Sequence, residues 1–194
     1  RWEPLYRLAR LDPSDTRLNS KKLKTLLDTY GEFPSKYRLL CWRFLLQLPE
    51  NHDAFATLAT KDTHPAFSGL KEKYPLKNQR VFKKLQGVLS ALAYWSPVFG
   101  EAEFVPALAY PFVSLFAVDD LASFETVMAV LLHWCGTWMT TFPHPPIPVL
   151  NTVEQIVSRH DPKLMKHLVQ MNVSSQTYAW SLLRSVFTEV FNKA

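Results

Sequence analysis

From Leu85 to Ser158, 74 consecutive residues, the chain carries no Lys or Arg, although the protein as a whole is basic with a formal net charge of +5. Apolar residues recur at helical spacing through this tract, and prolines punctuate it more than glycines do; the chain holds 14 Pro and 5 Gly. That pattern predicts helices ended by prolines rather than sheets joined by glycine turns. An all-α class follows, with the helices of this tract expected to be apolar nearly all round and Phe104 to Val118 to be buried core. At 194 residues and 47% hydrophobic content, the chain is long enough to bury its apolar surface in one core or two small lobes.

Charge is unevenly spread. Lys71 to Lys84 holds six cations against one acid, whereas Leu85 to Ser158 holds six acids. A nucleic-acid site would also want aromatics interleaved with this basic cluster on an exposed face, and the cluster is not read as one. It reads as the solvated side of a helix, with Lys77, Arg80, Lys83 and Lys84 opposite Val81, Phe82, Leu85, Val88 and Leu89. Lys71, Lys73, Lys77, Arg80, Lys83 and Lys84 form a candidate surface for a protein partner. The most apolar run, Phe104 to Val118, is broken by Pro106 and Pro111 and is shorter than the ~20 residues of a membrane-spanning helix. Cys41 and Cys135 lie among apolar neighbours, the setting of reduced, buried thiols, which suits a cytosolic compartment. The chain opens at Arg1 with no signal-like segment, and is expected to be a piece of something longer.

Local signals place the elements. Ser20 is a candidate N-cap for a helix carrying Leu23, Leu26, Leu27 and Tyr30, with Gly31 as its left-handed terminator. Pro34-Ser35 opens a second, with Tyr37, Leu40, Cys41, Phe44, Leu45 and Leu48 on one face and Pro49 at its end. A short helix follows Asn51 with Phe55 and Leu58 inward, and residues 61–75 read mostly as loop. Helices are then expected from Asn78 to Tyr94, from Glu101 to Ala117, and from the Asp119-Asp120 cap to about Thr140. Phe142 to Pro148, with four prolines in seven residues, is expected to be non-helical. Beyond it, Asn151 with Glu154 reads as a capping box, Asp161-Pro162 as a second cap, and Gln176 to Phe191 as a last amphipathic helix.

Several chemistries find no support. His133 and Cys135, two apart on an expected helix, would point to different faces, and His160 and His167 have no ligand cluster at metal spacing. The five glycines are scattered, so no phosphate-cradling loop exists, nor is there a G-x-S-x-G elbow. No cofactor is expected. Glu101 and Glu103 read first as helix-start acids complementing a dipole, diverging as i, i+2 residues do on a helix.

Taken together, the words of the chain resemble a TBC domain, the all-helical fold of Rab GTPase-activating proteins. Gly31-x-x-Pro34 with Arg38-x-x-x-Trp42 resembles the family's first motif, where an i, i+4 pair shapes the N-terminal lobe. Leu85-x-x-Val88-Leu89-x-Ala91, Ser96-Pro97-x-Phe99-Gly100 and Leu108-Ala109-x-Pro111-Phe112 resemble the run into and out of its Tyr-x-Gln motif. Asp119-Asp120 to Phe124, Asp161-Pro162-x-Leu164-x-x-His167-Leu168 and Tyr178-x-Trp180-x-Leu182-Leu183-x-x-x-Phe187 continue the order.

The resemblance implies an N-terminal extension over 1–18, an N-terminal lobe over 19–141, a Pro-rich linker over 142–150 and the start of a truncated C-terminal lobe over 151–194. It places Glu101 and Glu103 at the catalytic Tyr and Gln positions. An ionised Glu lacks the amide donor that orients an attacking water, and repels phosphate. The arginine-finger motif, anchored on Tyr74-Pro75, puts Ala66, Gly69 and Glu72 at its Ile, Asp and Arg positions, with Lys73 one residue away. Lysine offers a point charge in place of a planar fork. The expectation is a catalytically degenerate module of a longer cytoplasmic scaffold that binds protein partners, a Rab among them, and the resemblance implies a centrosomal or ciliary setting. Two alternatives stand beside it: an active activator using Lys73 or Arg80, and a helical adaptor that docks a partner helix in an apolar groove.

Overall fold

A computed structural model describes residues 20–116 and 118–188. The expected extension at 1–18, Ala117 and the end of the expected last helix at 189–191 lie outside the described residues. Every regular element among those described is helical. The chain divides into two compact units at Pro49.

In the first unit, α1 (Ser20–Tyr30) ends at Gly31, whose φ of +76° is the left-handed conformation that glycine takes without steric cost. Helix α2 (Ser35–Leu45) starts after Pro34 and ends four residues before Pro49, earlier than expected. Cys41 is fully buried, whereas Leu40 and Leu45 are about half exposed, so the apolar face is narrower than the composition of the segment suggests. The Arg38 guanidinium bonds the Phe33 carbonyl at 3.4 Å and pairs with Glu32 at 3.5 Å.

In the second unit, Asn51 caps α3 (His52–Ala59) by accepting the Ala54 amide. The stretch expected to be loop contains a 3₁₀ turn, Pro65–Phe67, and a single helical turn, α4 (Leu70–Lys73). Helix α5 (Gln79–Trp95), capped by Asn78, buries Phe82, Leu85, Val88 and Leu89 of the stripe read from the sequence, and Leu92 beyond it, while Val81 is half-buried. It packs against α6 (Val98–Glu101), α7 (Val105–Leu115) and α8 (Asp120–His133). Helix α8 buries nearly every residue from Leu121 to Leu131, in keeping with a central helix apolar nearly all round.

Further boundaries differ from the sequence reading. The expected helix 101–117 is two elements, α6 and α7, separated by Ala102 to Phe104, and it continues through Pro111. Helix α8 stops at His133 and gives way to a 3₁₀ turn, Gly136–Trp138, which carries Trp138 into an aromatic cluster. Ile147 and Pro148, expected to be non-helical, begin α9 (Ile147–His160), because a proline in the first turn forfeits only an amide that the helix would leave unpaired. Asn151 is thus inside α9 and caps nothing; Glu154 instead accepts the Ser175 amide at 3.4 Å. Asp161 caps α10 (Pro162–Gln170) as expected, through the Leu164 amide. Where one long last helix was expected there are two short ones, α11 (Ser175–Tyr178) and α12 (Trp180–Arg184), and positive φ at Val186 and Phe187 ends the run.

Candidate functional site: a ridge between two clefts

Gly100 closes α6 onto its neighbours. A Cβ built on it would stand 3.2 Å from Ala93 Cβ and 3.4 Å from Ala66 Cβ, tight enough that any larger residue would push α6 off α5 and the Pro65–Phe67 turn by a few tenths of an ångström. That turn is fixed in place by Gln86, whose amide donates to the Phe67 carbonyl, and by Ser90, which accepts the His64 amide. The next three residues form a ridge. Ala102 is buried in extended conformation, while Glu101 and Glu103 on either side are exposed. The Tyr74 hydroxyl reaches the Glu103 carbonyl at 3.5 Å and ties the ridge to the end of α4.

The two glutamates are therefore not helix-start acids that diverge. Glu101 is the last residue of α6, Glu103 lies in the turn before α7, and both line the same two clefts. The first cleft, about 400 Å³, is walled by Phe104, Trp138 and Trp180 on one side and by Phe142 to Pro145 on the other. The three rings pack edge to face, with centroids 5.4 Å (Phe104–Trp138), 5.6 Å (Phe104–Trp180) and 5.1 Å (Trp138–Trp180) apart. The second cleft, about 540 Å³, runs along α4 and is lined by Leu70, Lys73, Tyr74, Ala102 and Pro106 among others.

Of the two arginine-finger candidates, Lys73 lines the second cleft and Glu72 does not. Lys71, Lys77, Arg80 and Lys83 are exposed and line neither of these two clefts. Lys84 departs from the expected solvated face: its side chain is only 7% exposed, and its ammonium donates to the Phe116 carbonyl at 2.5 Å and pairs with Asp120 at 2.9 Å. It joins the end of α7 to the start of α8. The motif residues Gly31, Pro34, Arg38 and Trp42 belong to the first unit, where Gly31 and Pro34 bound helices.

One cation was missed. Arg184, at the end of α12, lines both clefts beside Glu101 and Glu103, and its buried Nε has no hydrogen-bond partner among the described residues. Nothing in the sequence marks it, because it stands 81 positions from Glu103 and no local pattern links them. Among the described residues no group of three or more His, Cys, Asp or Glu could hold a metal ion. None of the described helices is long and apolar enough to cross a membrane.

Comparison with known proteins gives a consistent picture. The Rab-GTPase-TBC domain profile matches residues 35–193. TBC1 domain family member 31 of Homo sapiens is 47% identical over 176 residues, covering 91% of this chain and 16% of its own length. The Oryzias latipes protein of that name is 48% identical over 91% of this chain and 16% of its length. The Xenopus laevis one is 42% identical over 98% of this chain and 19% of its length. The chain thus spans less than a fifth of the curated relatives it matches.

Proposed function

Since the chain belongs to the Rab-GTPase-TBC domain family, we propose that it is a catalytically degenerate member: a protein-binding module of a longer scaffold that retains the fold without accelerating GTP hydrolysis. The observation that carries this reading is the pair of exposed carboxylates, Glu101 and Glu103, on the ridge where the motif register expects Tyr and Gln. Neither can donate a hydrogen bond when ionised, and both oppose the approach of nucleotide phosphates. The arginine position offers Glu72, exposed on α4, with Lys73 beside it. An arginine finger supplies about 10³ to 10⁵ in rate, and a lysine lacks the fork that delivers it.

A Rab in its GTP form is the partner class this reading favours for the cleft, and a cytoplasmic scaffold at the centrosome or cilium is the setting it implies. The competing reading, an active activator, gains some support from Lys73 lining the second cleft; Arg80, its other candidate, lines neither cleft described above. Multiple-turnover GTP hydrolysis by a panel of Rabs, run beside binding to the same Rabs loaded with a non-hydrolysable GTP analogue or GDP, separates the two. The expected result is intrinsic hydrolysis rates throughout. Stimulation abolished by Lys73→Ala or Arg80→Ala would establish the active reading instead.

A further inference from the structure

The aromatic cleft has no role in the reading above. It is lined by the rings of Phe104, Trp138 and Trp180 together with Glu101 and Glu103. We propose that this cleft binds the side chain of an arginine or lysine presented by a basic segment of a partner protein. The proposal rests on the reading that the ridge is not used to catalyse hydrolysis, and names a partner chemistry for it.

Three observations converge on a cationic occupant. Aromatic rings attract a cation through their quadrupole, Trp most strongly, and here two Trp and one Phe line one cleft, Phe104 and Trp138 each 8% exposed and the three packed edge to face. Two exposed carboxylates line the same cleft as those rings, against the single guanidinium of Arg184. Arg184 Nε is itself withdrawn into the protein, and the same side chain is shared with the second cleft. A volume of about 400 Å³ suits one long side chain with its flanking backbone. An anionic ligand would meet both glutamates, and an apolar one would strip water from them without replacing it. Of the two basic residues, arginine fits better, because its planar guanidinium stacks on an indole while forking onto a carboxylate.

The net charge of +5 makes the test discriminating, since non-specific attraction would favour an acidic peptide over a basic one. Fluorescence anisotropy would be read with three labelled twelve-residue peptides built on one Gly-Ser backbone and carrying two Arg, two Glu or two Pro at matched positions. The Arg peptide is expected to bind best. Its affinity is expected to fall about tenfold in Glu101→Gln/Glu103→Gln, a surface change that leaves the fold alone. Trp180→Phe should weaken it several-fold, and Lys77→Ala/Lys83→Ala should leave it unchanged. Preference for the Glu or Pro peptide, or Arg-peptide binding indifferent to the glutamate pair, would overturn the proposal. So would binding altered as much by the lysine pair. No GTPase enters this assay, so its failure and a failure of the non-catalytic reading are told apart by the hydrolysis panel.

Discussion

Cys135 shows how far a residue's chemistry is set by where it is buried. It is 3% exposed, and burial pushes its thiol from the ordinary 9.0 up to about 12. In the unfolded chain the thiol ionises near 9.0, so above that pH the unfolded state sheds a proton that the folded state keeps. The contribution to stability is fully present below 9.0 and is lost as pH climbs toward 12. Denaturant midpoints measured from pH 8 to 11 should fall more steeply for the wild type than for Cys135→Ala. Identical slopes would show that the thiol is not held protonated. Tyr178, raised by burial and then by Glu154, contributes to both slopes alike. The burial of both cysteines was legible from their apolar neighbours, and the structure leaves both as free thiols. Lys84 was not: the sequence reading grouped it with the solvated Lys83, whereas in the helix it stands one turn before the buried Val88 and pairs with Asp120 at the start of α8.

At the scale of elements, α3 is held by a residue 74 positions away. Glu125, on the buried helix α8 and 2% exposed, accepts the Glu50 amide at 3.0 Å and the Asn51 amide at 2.7 Å. It clamps the turn where Glu50 takes a left-handed φ of +52°, while Phe55 packs 5.3 Å from Phe124. Charge-assisted bonds to backbone are worth about 1.5 to 3 kcal/mol each. With two such bonds, Glu125→Ala should therefore destabilise the domain by about 3 to 6 kcal/mol, and Glu125→Gln, which keeps one acceptor, by about half that. Urea unfolding checks both, and a Glu125→Ala midpoint within error of wild type would remove the clamp from the account. Caps such as Asn51, Asn78, Asp119 and Asp161 could be read from the sequence because each bonds an amide two or three residues away. The end of α8 could not: no breaker stands at Trp134, and the chain leaves the helix there as Trp138 joins Phe104 and Trp180.

For the molecule as a whole, the test of a side-chain-level loss is rescue. The geometry favours Lys73 over Glu72 as the place for a restored arginine, since Lys73 lines the cleft beside the ridge. Lys73→Arg with Glu101→Tyr and Glu103→Gln should raise GTP hydrolysis by a bound Rab at least about tenfold, a small part of what an arginine finger can supply. The same set built on Glu72→Arg should give less. A folded Lys73→Arg variant that binds its Rab and gives no stimulation would mean that the loss lies in the backbone frame. The all-helical class, the apolar central helices, the caps at Asp119 and Asp161 and the family resemblance were already fixed by residue order, because helical period, capping and motif spacing are local properties of a chain. Tertiary structure alone decided that Glu101 and Glu103 share two clefts, that Arg184 joins them, and that Phe142 to Pro145 is a wall of one. Those neighbours meet only through packing between elements distant in sequence, and no local pattern encodes such a meeting.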